Sequence, residues 1–437
     1  MHILKGYTKQ EISWMMYDWA NSAHSVIIVT LLPIFFDTVA GYTADSVSSM
    51  STWGYATSIA MLIVALAAPF LGVFGDIRGM RKKLFSFFML LGVAACAGMA
   101  FTPGMDFTSG PVAAGKVASL ILVLYIVSVI GFDASAIYYD AFLTDVTIED
   151  RMDKVSTMGY GLGYIGGSTI PLLIFLIMNL VGVPMLTCLA FVFGLTAVWW
   201  LAFSLPLLKN CEQTSGKPYE KGDVARSIKG VGTTIKEIIA NKPMLIYILS
   251  YFFYIDGVHT VISMATTYGT NLGLDSTGMM LALLLVQILG LPFCLLYIKC
   301  SEKFGARTMV GFGICVYMFI CIFAFFMNSL WQFWVLAVLC ATSQGGIQAL
   351  SRSYLGKIIP AERSGEYFGL MDICGKGASF LGTTLIAMVS QLTDGQSFHV
   401  FGLELQNENI AVGTLVVIFA IGFVLFCKAD KLNNTIS

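Results

Sequence analysis

The stretch Gly72-Val73-Phe74-Gly75-Asp76-Ile77-Arg78-Gly79-Met80-Arg81-Lys82 gathers one acid, three bases and three glycines between two runs, Trp53–Gly75 and Leu84–Phe101, that hold no charge. At 1.5 Å rise per residue, a run of ~20 apolar residues crosses the ~30 Å hydrocarbon layer of a bilayer as a helix, so the charged stretch reads as the tight turn between two membrane spans. Working outward, the same alternation recurs along all 437 residues, of which 57% are apolar and 12% charged, a balance outside the range of ordinary soluble domains. Ten further runs fit: Trp14–Phe36, Val117–Leu143, Val155–Met178, Pro184–Leu205, Pro243–Leu272, Thr277–Ile298, Thr308–Met327, Leu330–Leu355, Tyr367–Leu392 and Ile410–Cys427. The expected fold is an all-α integral membrane protein of twelve transmembrane helices.

Basic residues give the orientation. With the N-terminus inside, Lys116 alone falls outside and Lys376 lies within a span, while the others, including Arg78, Arg81, Lys82, Arg151, Lys303, Arg307, Arg352 and Arg363, fall on the inner side. Both termini are then cytoplasmic, and a bacterial-type plasma (inner) membrane, with its lipids, is the expected setting. The net charge of −1 implies no nucleic-acid partner. Cysteines are scattered singly, with no C-x-x-C, so neither disulfides nor a metal site is expected. No phosphate loop or nucleophile–base–acid set appears, and an enzyme or a cofactor is not expected.

The one long connection, Lys209 to Lys242, divides the chain into a six-helix bundle over 1–208, a linker over 209–242 and a second six-helix bundle over 243–437. Within the linker Val224, Ile228, Val231, Ile235, Ile238 and Ile239 recur at helical spacing, the pattern of an amphipathic helix lying on the inner leaflet. The halves echo each other. The turn at Asp76 is matched by Glu302-Lys303-Phe-Gly305-Ala-Arg307, Asp150-Arg151 by Glu362-Arg363, and Asp18-x-x-Asn21-Ser22 by Asp256-x-x-His259-Thr260.

Taken with its degenerate copy at Glu302–Arg307, the string G-x-x-x-D-x-R-G-x-R-K over Gly72–Lys82 resembles the loop 2–3 signature of the major facilitator superfamily. Further strings resemble its vacuole-effluxer-like branch: Tyr17-Asp18-Trp19-Ala20-Asn21-Ser22, Gly161-x-Gly163-Tyr164-x-Gly166-Gly167, Gln344-Gly-Gly-Ile-Gln348-Ala-Leu-Ser351-Arg352-Ser353, Ser364-Gly-Glu-Tyr-Phe-Gly369 and Gly375-Lys376. The resemblance covers essentially the whole chain. It implies the major facilitator fold of two pseudo-symmetric six-helix bundles, alternating access, and amino acids or similar small zwitterions as cargo. Ile77 departs from the usual base after the aspartate, so the loop's charge relay must use Arg78 or Arg81; His24 and Asp372 depart where an aromatic and an asparagine are commoner.

An ionisable residue at the bilayer centre costs ~2.5–3.5 kcal/mol, so each one kept there is a functional candidate. These are Asp18 and His24 in the first span, Asp133 and Asp140 in the fourth, Asp256 and His259 in the seventh, and Asp372 and Lys376 in the eleventh. Asp133 and Asp140 lie two turns apart on one face, ~10 Å along the axis, and are candidates for a coupling proton. Asp140 could instead pair with Arg78 or Arg81. Lys376 could anchor a substrate carboxylate or be neutralised by Asp372 one turn away. His24 and His259 could couple protons or be interhelical contacts. By the resemblance, helices one, four, seven and ten line the cavity, which brings in Tyr17, Asn21, Tyr139 and Gln348. Gating is assigned to Gly72, Asp76, Arg78, Gly79, Arg81, Asp145, Glu302, Lys303, Gly305, Arg307, Arg352 and Arg363, with Asp76 at the start of helix eleven and Arg78 or Arg81 reaching Asp145. The expected protein is a monomeric, proton-coupled secondary transporter of amino acids or small peptides. The alternatives are a carrier of sugars, drugs or lipids and a non-transporting receptor on a transporter fold.

Overall fold

The computed structural model describes residues 4–43, 49–218, 223–393, 398–400 and 403–434. With no water in the hydrocarbon layer, a spanning backbone must satisfy its own polar groups, and helices do so. The helices are α1 (Lys9–Ala40), α2 (Ser49–Gly75), α3 (Arg81–Met99), α4 (Pro111–Ala141), α5 (Leu143–Val146), α6 (Glu149–Leu162), α7 (Ile170–Leu180) and α8 (Met185–Asn210). They continue as α9 (Asp223–Ala240), α10 (Lys242–Asn271), α11 (Ser276–Phe304), α12 (Ala306–Phe325), α13 (Leu330–Ile358), α14 (Ser364–Leu392), α15 (Asn407–Gly413) and α16 (Leu415–Asn434). Eleven segments among the described residues are long and apolar enough to cross a membrane. The eleventh expected span corresponds to α14, a helix of 29 residues.

Helix ends follow local chemistry. Thr8 caps α1 by accepting the Glu11 N–H at 3.1 Å, and Glu11 accepts the Thr8 N–H at 2.7 Å in return. Asn241 and Asp275 cap α10 and α11 in the same way, each accepting a backbone N–H three residues on. The fifth span changes register midway: Gly163–Thr169 forms a π-turn between α6 and α7, and the Thr169 hydroxyl donates to the Tyr164 carbonyl five residues back at 2.8 Å.

The chain forms two compact units, residues 1–221 with 356–369, and residues 222–355 with 370–437. The inclusion of 356–369 in the first unit is not visible in a division by sequence at 208 and 243. In the first unit α3 packs on α4 and α1 on α8, with Trp14, Tyr17, Phe85, Tyr138 and Tyr139 fully buried. In the second, α10 and α12 pack on α16. Apolar side chains such as Leu62, Leu66, Phe87 and Val198 point outward, as a lipid-facing surface requires. One addition to the all-helical expectation is a short antiparallel hairpin, β1 (Phe398–Val400) with β2 (Leu403–Leu405), Phe398 opposite Leu405. The linker helix is α9. Its Ile235 and Ile239 are exposed and Ile238 is buried, while the side chains of Val224, Ile228 and Val231 lie outside the described residues. Among the described residues the cysteines are free.

Candidate functional site

Midway through the first unit, α1, α4 and the fifth span converge on a buried carboxylate. Asp18 accepts a hydrogen bond from the Tyr139 hydroxyl at 2.7 Å; the Tyr139 ring stacks on Trp14 at 4.4 Å, and the Trp14 indole N–H donates to the Tyr139 carbonyl at 2.8 Å. Tyr17 shares a hydrogen bond with Ser135 at 2.7 Å and meets Phe85 edge-on. The glycine face of the fifth span makes room for this. A Cβ on Gly159 would overlap the Asp18 carboxylate, one on Gly163 would lie 2.6 Å from the Ser22 hydroxyl, and one on Gly167 would lie 2.5 Å from the Trp19 carbonyl oxygen. Those glycines let α1 approach until its acid is walled by backbone. Asn21 and Asp133 are buried in the same unit and Asp140 is half-buried; neither acid is without a partner. His24 is buried, and its Nδ1 has no hydrogen-bond partner among the described residues. It stacks on Phe132 at 4.7 Å, touches Trp200, and meets the Ser128 hydroxyl at 3.2 Å, the surroundings of a packed interhelical contact.

The signature turn forms a second constellation. Asp76 sits beyond the first residues of α14, its two oxygens accepting the Gly365 N–H at 2.7 Å and the Glu366 N–H at 2.9 Å, where unsatisfied donors and the positive end of the helix favour an anion. Arg81, fully buried, bridges Asp76 at 3.0 Å, Asp145, the Ala141 carbonyl at 3.0 Å and Ser364 at 2.8 Å. Arg81 and not Arg78 is thus the base that joins Asp76 to Asp145, through its two terminal nitrogens. Arg78 is exposed, and its backbone N–H donates to Lys217. Burial pushes the Asp76 carboxyl up to about 6, against the Arg81 guanidinium and the Glu366 and Gly365 N–H groups, which pull it down. Gly72 is required by contact: its neighbour is the Gly365 carbonyl, with no space for a Cβ. Gly79 turns at φ +80°, a conformation that favours glycine. Arg363 pairs with Glu366 at 3.1 Å and lies over the Tyr367 ring.

In the second unit Asp256 is fully buried and accepts the Gly382 N–H at 3.1 Å, while its other oxygen has no partner among the described residues. A Cβ on Gly382 would lie 3.0 Å from that free oxygen. Each unit thus buries an acid of its first helix against a glycine of its fifth. His259 and Asp372 are half-buried and have partners, and Gln348 donates to the Gln344 carbonyl at 3.1 Å. Lys376 lies in α14 with its side chain outside the described residues, so its pairing with Asp372 does too. Arg352 is buried; Arg307 donates to the Tyr354 hydroxyl at 3.2 Å; Glu302 and Lys303 are exposed at the end of α11, where Gly305 turns at φ +83°.

Sequence reasoning missed the strap that follows α8. The Thr214 and Ser215 N–H groups donate to Asp145 at 3.0 and 2.9 Å, the Gln213 side-chain Oε1 accepts the Gly79 N–H at 2.9 Å, and Lys217 exchanges two backbone bonds with the turn, at Asp76 and Arg78. Nothing in the spacing of 211–217 marks it, because Gln213, Thr214 and Ser215 act through short-range side-chain and backbone bonds and Lys217 through its backbone, none of which needs a repeating period. Ser364 was missed as well; its position as the residue before the N–H groups that bind Asp76 was the available signal.

Residues 7–405 match the family model described as "Vacuole effluxer Atg22 like". The chain is 41% identical over 441 residues, 99% of its own length and 97% of the relative's, to an uncharacterized MFS-type transporter, YxiO, of Bacillus subtilis. It is 23% identical over 273 residues to autophagy-related protein 22-1 of Penicillium rubens, covering 56% of this chain and 46% of that one. Among solved structures, the proton:xylose symporter XylE aligns with TM-score 0.68 at 16% identity over 96% of this chain and 94% of its own. A bacterial homologue of the iron transporter ferroportin aligns with TM-score 0.68 at 17% identity over 96% and 99%. These likenesses show the major facilitator fold, that of a multi-pass membrane transporter and not of an enzyme. The chain belongs to the Atg22-like vacuole effluxer family of major facilitator transporters.

Proposed function

We propose that the chain is a proton-coupled secondary carrier of amino acids or small peptides, working by alternating access in the plasma membrane with both termini cytoplasmic. The observation that carries this reading is the buried acid in each unit, Asp18 against Gly159 and Asp256 against Gly382. Such a group is expensive in a bilayer, and a proton that binds and leaves with conformation is a use that repays the cost. Asp18, held by Tyr139, can take up a proton without losing that bond, since a protonated carboxyl still accepts through its other lone pairs. Asp133 and Asp140 are the further acids along α4. The family's description as effluxers supports the movement of a solute, and amino acids are the cargo that the sequence resemblance implies. The Asp76–Arg81–Asp145 cluster acts as a latch on the first residues of α14, made and broken once per cycle.

A thermal-shift screen of the purified protein against amino acids, dipeptides, sugars and organic acids tests the cargo, because a ligand at 100 times its Kd adds about 2.7 kcal/mol to the folded state. Stabilisation by one or more amino acids or dipeptides supports the reading. Stabilisation confined to sugars or organic acids overturns it.

A further inference from the structure

The connection that leaves α8 is fastened to the signature turn before it goes on. Gln213 spans that turn with one side chain: its Nε2 donates to the Gly75 carbonyl at 3.0 Å, and its Oε1 accepts the Gly79 N–H at 2.9 Å and the Arg81 N–H at 3.3 Å. Met80 gives α3 no side-chain cap, so Gln213 supplies from outside an acceptor that the first turn of that helix lacks. Beside it, one oxygen of Asp145 takes four donors, the N–H and hydroxyl of Thr214 at 3.0 and 2.9 Å and those of Ser215 at 2.9 and 2.7 Å. Gly216 closes the strap against the turn. Its φ is +134°, and a Cβ there would lie 2.7 Å from the Gln213 Nε2 and 2.8 Å from the Asp76 carbonyl oxygen. All of these residues belong to the first unit.

An arginine frequently grips a carboxylate as a fork, with two parallel N–H···O bonds. Arg81 does not. Its Nη1 donates to Asp145 and its Nη2 to Asp76, one bond to each acid, and its buried Nε has no partner among the described residues. The strap is the reason: with one Asp145 oxygen filled by Thr214 and Ser215, only the other is left for Arg81. Without those donors Asp145 would present both oxygens, and the fork that then forms would draw Nη2 away from Asp76 and Ser364. We propose that Gln213, Thr214 and Ser215 are positioning residues for the latch: they keep Arg81 shared between two acids and so keep Asp76 on the Gly365 and Glu366 N–H groups. This rests on the reading of the Asp76 cluster as a latch and not on the identity of the cargo.

Gly365 and Glu366 stand in the first turn of α14, where N–H groups have no intrahelical acceptor, so their protection from hydrogen exchange reads the latch itself. Exchange is followed by mass spectrometry on the full-length protein in detergent at pH 7, in peptides covering 364–367. Asp76→Ala removes both acceptors and should raise exchange there by at least about tenfold. Gln213→Leu and the double variant Thr214→Val/Ser215→Ala, which alter neither the Asp76 carboxylate nor α14, are expected to raise it by at least about threefold. Thr214→Ser/Ser215→Thr, which keeps both hydroxyls, should exchange as the parent chain does. If Gln213→Leu does not fold, the variant without the two hydroxyls decides. Faster exchange confined to 75–81 and 211–217, with 364–367 unchanged, would make the strap a local fastening and overturn the proposal while the latch stands. Unchanged exchange at 364–367 in Asp76→Ala would overturn the latch and the proposal together.

Discussion

Asp76 shows how one carboxylate can be held both by charge and against it. Two backbone N–H groups and Arg81 favour its anion, while burial disfavours it and leaves the group titrating near 6, above the ordinary 3.8. A carboxyl raised on folding holds its proton more tightly in the native state than in the unfolded one. Its contribution to stability is therefore complete below about 4 and is lost as pH rises through about 6, a change on the order of 3 kcal/mol. Melting curves of the parent chain should show this fall between those limits, and Asp76→Asn, which cannot titrate, should lack it; parallel curves for the two would refute the assignment. At neutral pH the same variant should lower turnover by about tenfold with little change in substrate affinity, because the latch acts on conformation and not on cargo. Asp76 and Arg81 were legible as charges in a tight turn between apolar runs, and Asp145 as the acid that a base of that turn could reach. The choice of Arg81 over Arg78 was not, since it depends on which base the turn at Gly79 aims inward.

At the scale of elements, the fifth span illustrates glycine used as absence. Gly159, Gly163, Gly166 and Gly167 leave α1 in backbone contact, and the π-turn over Gly163–Thr169 sets the face that meets Trp19 and Ser22. A side chain there must displace the Trp19 indole. Gly166→Val should therefore cost about 1–3 kcal/mol, an overpacking cost, whereas Gly194→Ala, whose Cβ would meet Ala100 at an ordinary 3.6 Å, should be neutral or gain up to about 1 kcal/mol of helix propensity. Comparing Tm of the two variants checks this; equal loss in both would contradict the close-approach account. The run of glycines was visible in sequence as a small-residue face, but the change of register was not, because a π-turn is fixed by what presses on the helix as much as by its own residues. The spans themselves were legible from hydrophobic length alone. The hairpin at Phe398–Leu405 was not, its strands being only three residues each.

For the whole molecule, hydrophobic runs and the paired turns at Asp76 and Glu302 carried the fold, since both depend on local sequence. The assignment of 356–369 to the first unit depends on long-range contacts such as Lys357 with Asp153 at 2.6 Å and Gly365 with Asp76, which no local pattern announces. The candidate residues along the spans were identifiable as charges that lipid would reject, yet sequence could not show that His24 stacks on Phe132 while Asp18 is held by the Tyr139 hydroxyl, because both are single polar residues on one apolar helix. The proposed proton-coupled cycle rests on the buried acids Asp18 and Asp256, with Asp133 the further acid on α4, and it is tested most directly by uptake of a radiolabelled amino acid, chosen by the thermal-shift screen, into proteoliposomes with an imposed pH gradient. The account predicts accumulation above equilibration that collapses with a protonophore and is lost in Asp18→Asn or Asp133→Asn while counterflow exchange persists. Accumulation indifferent to the pH gradient, or unchanged in both variants, would contradict it.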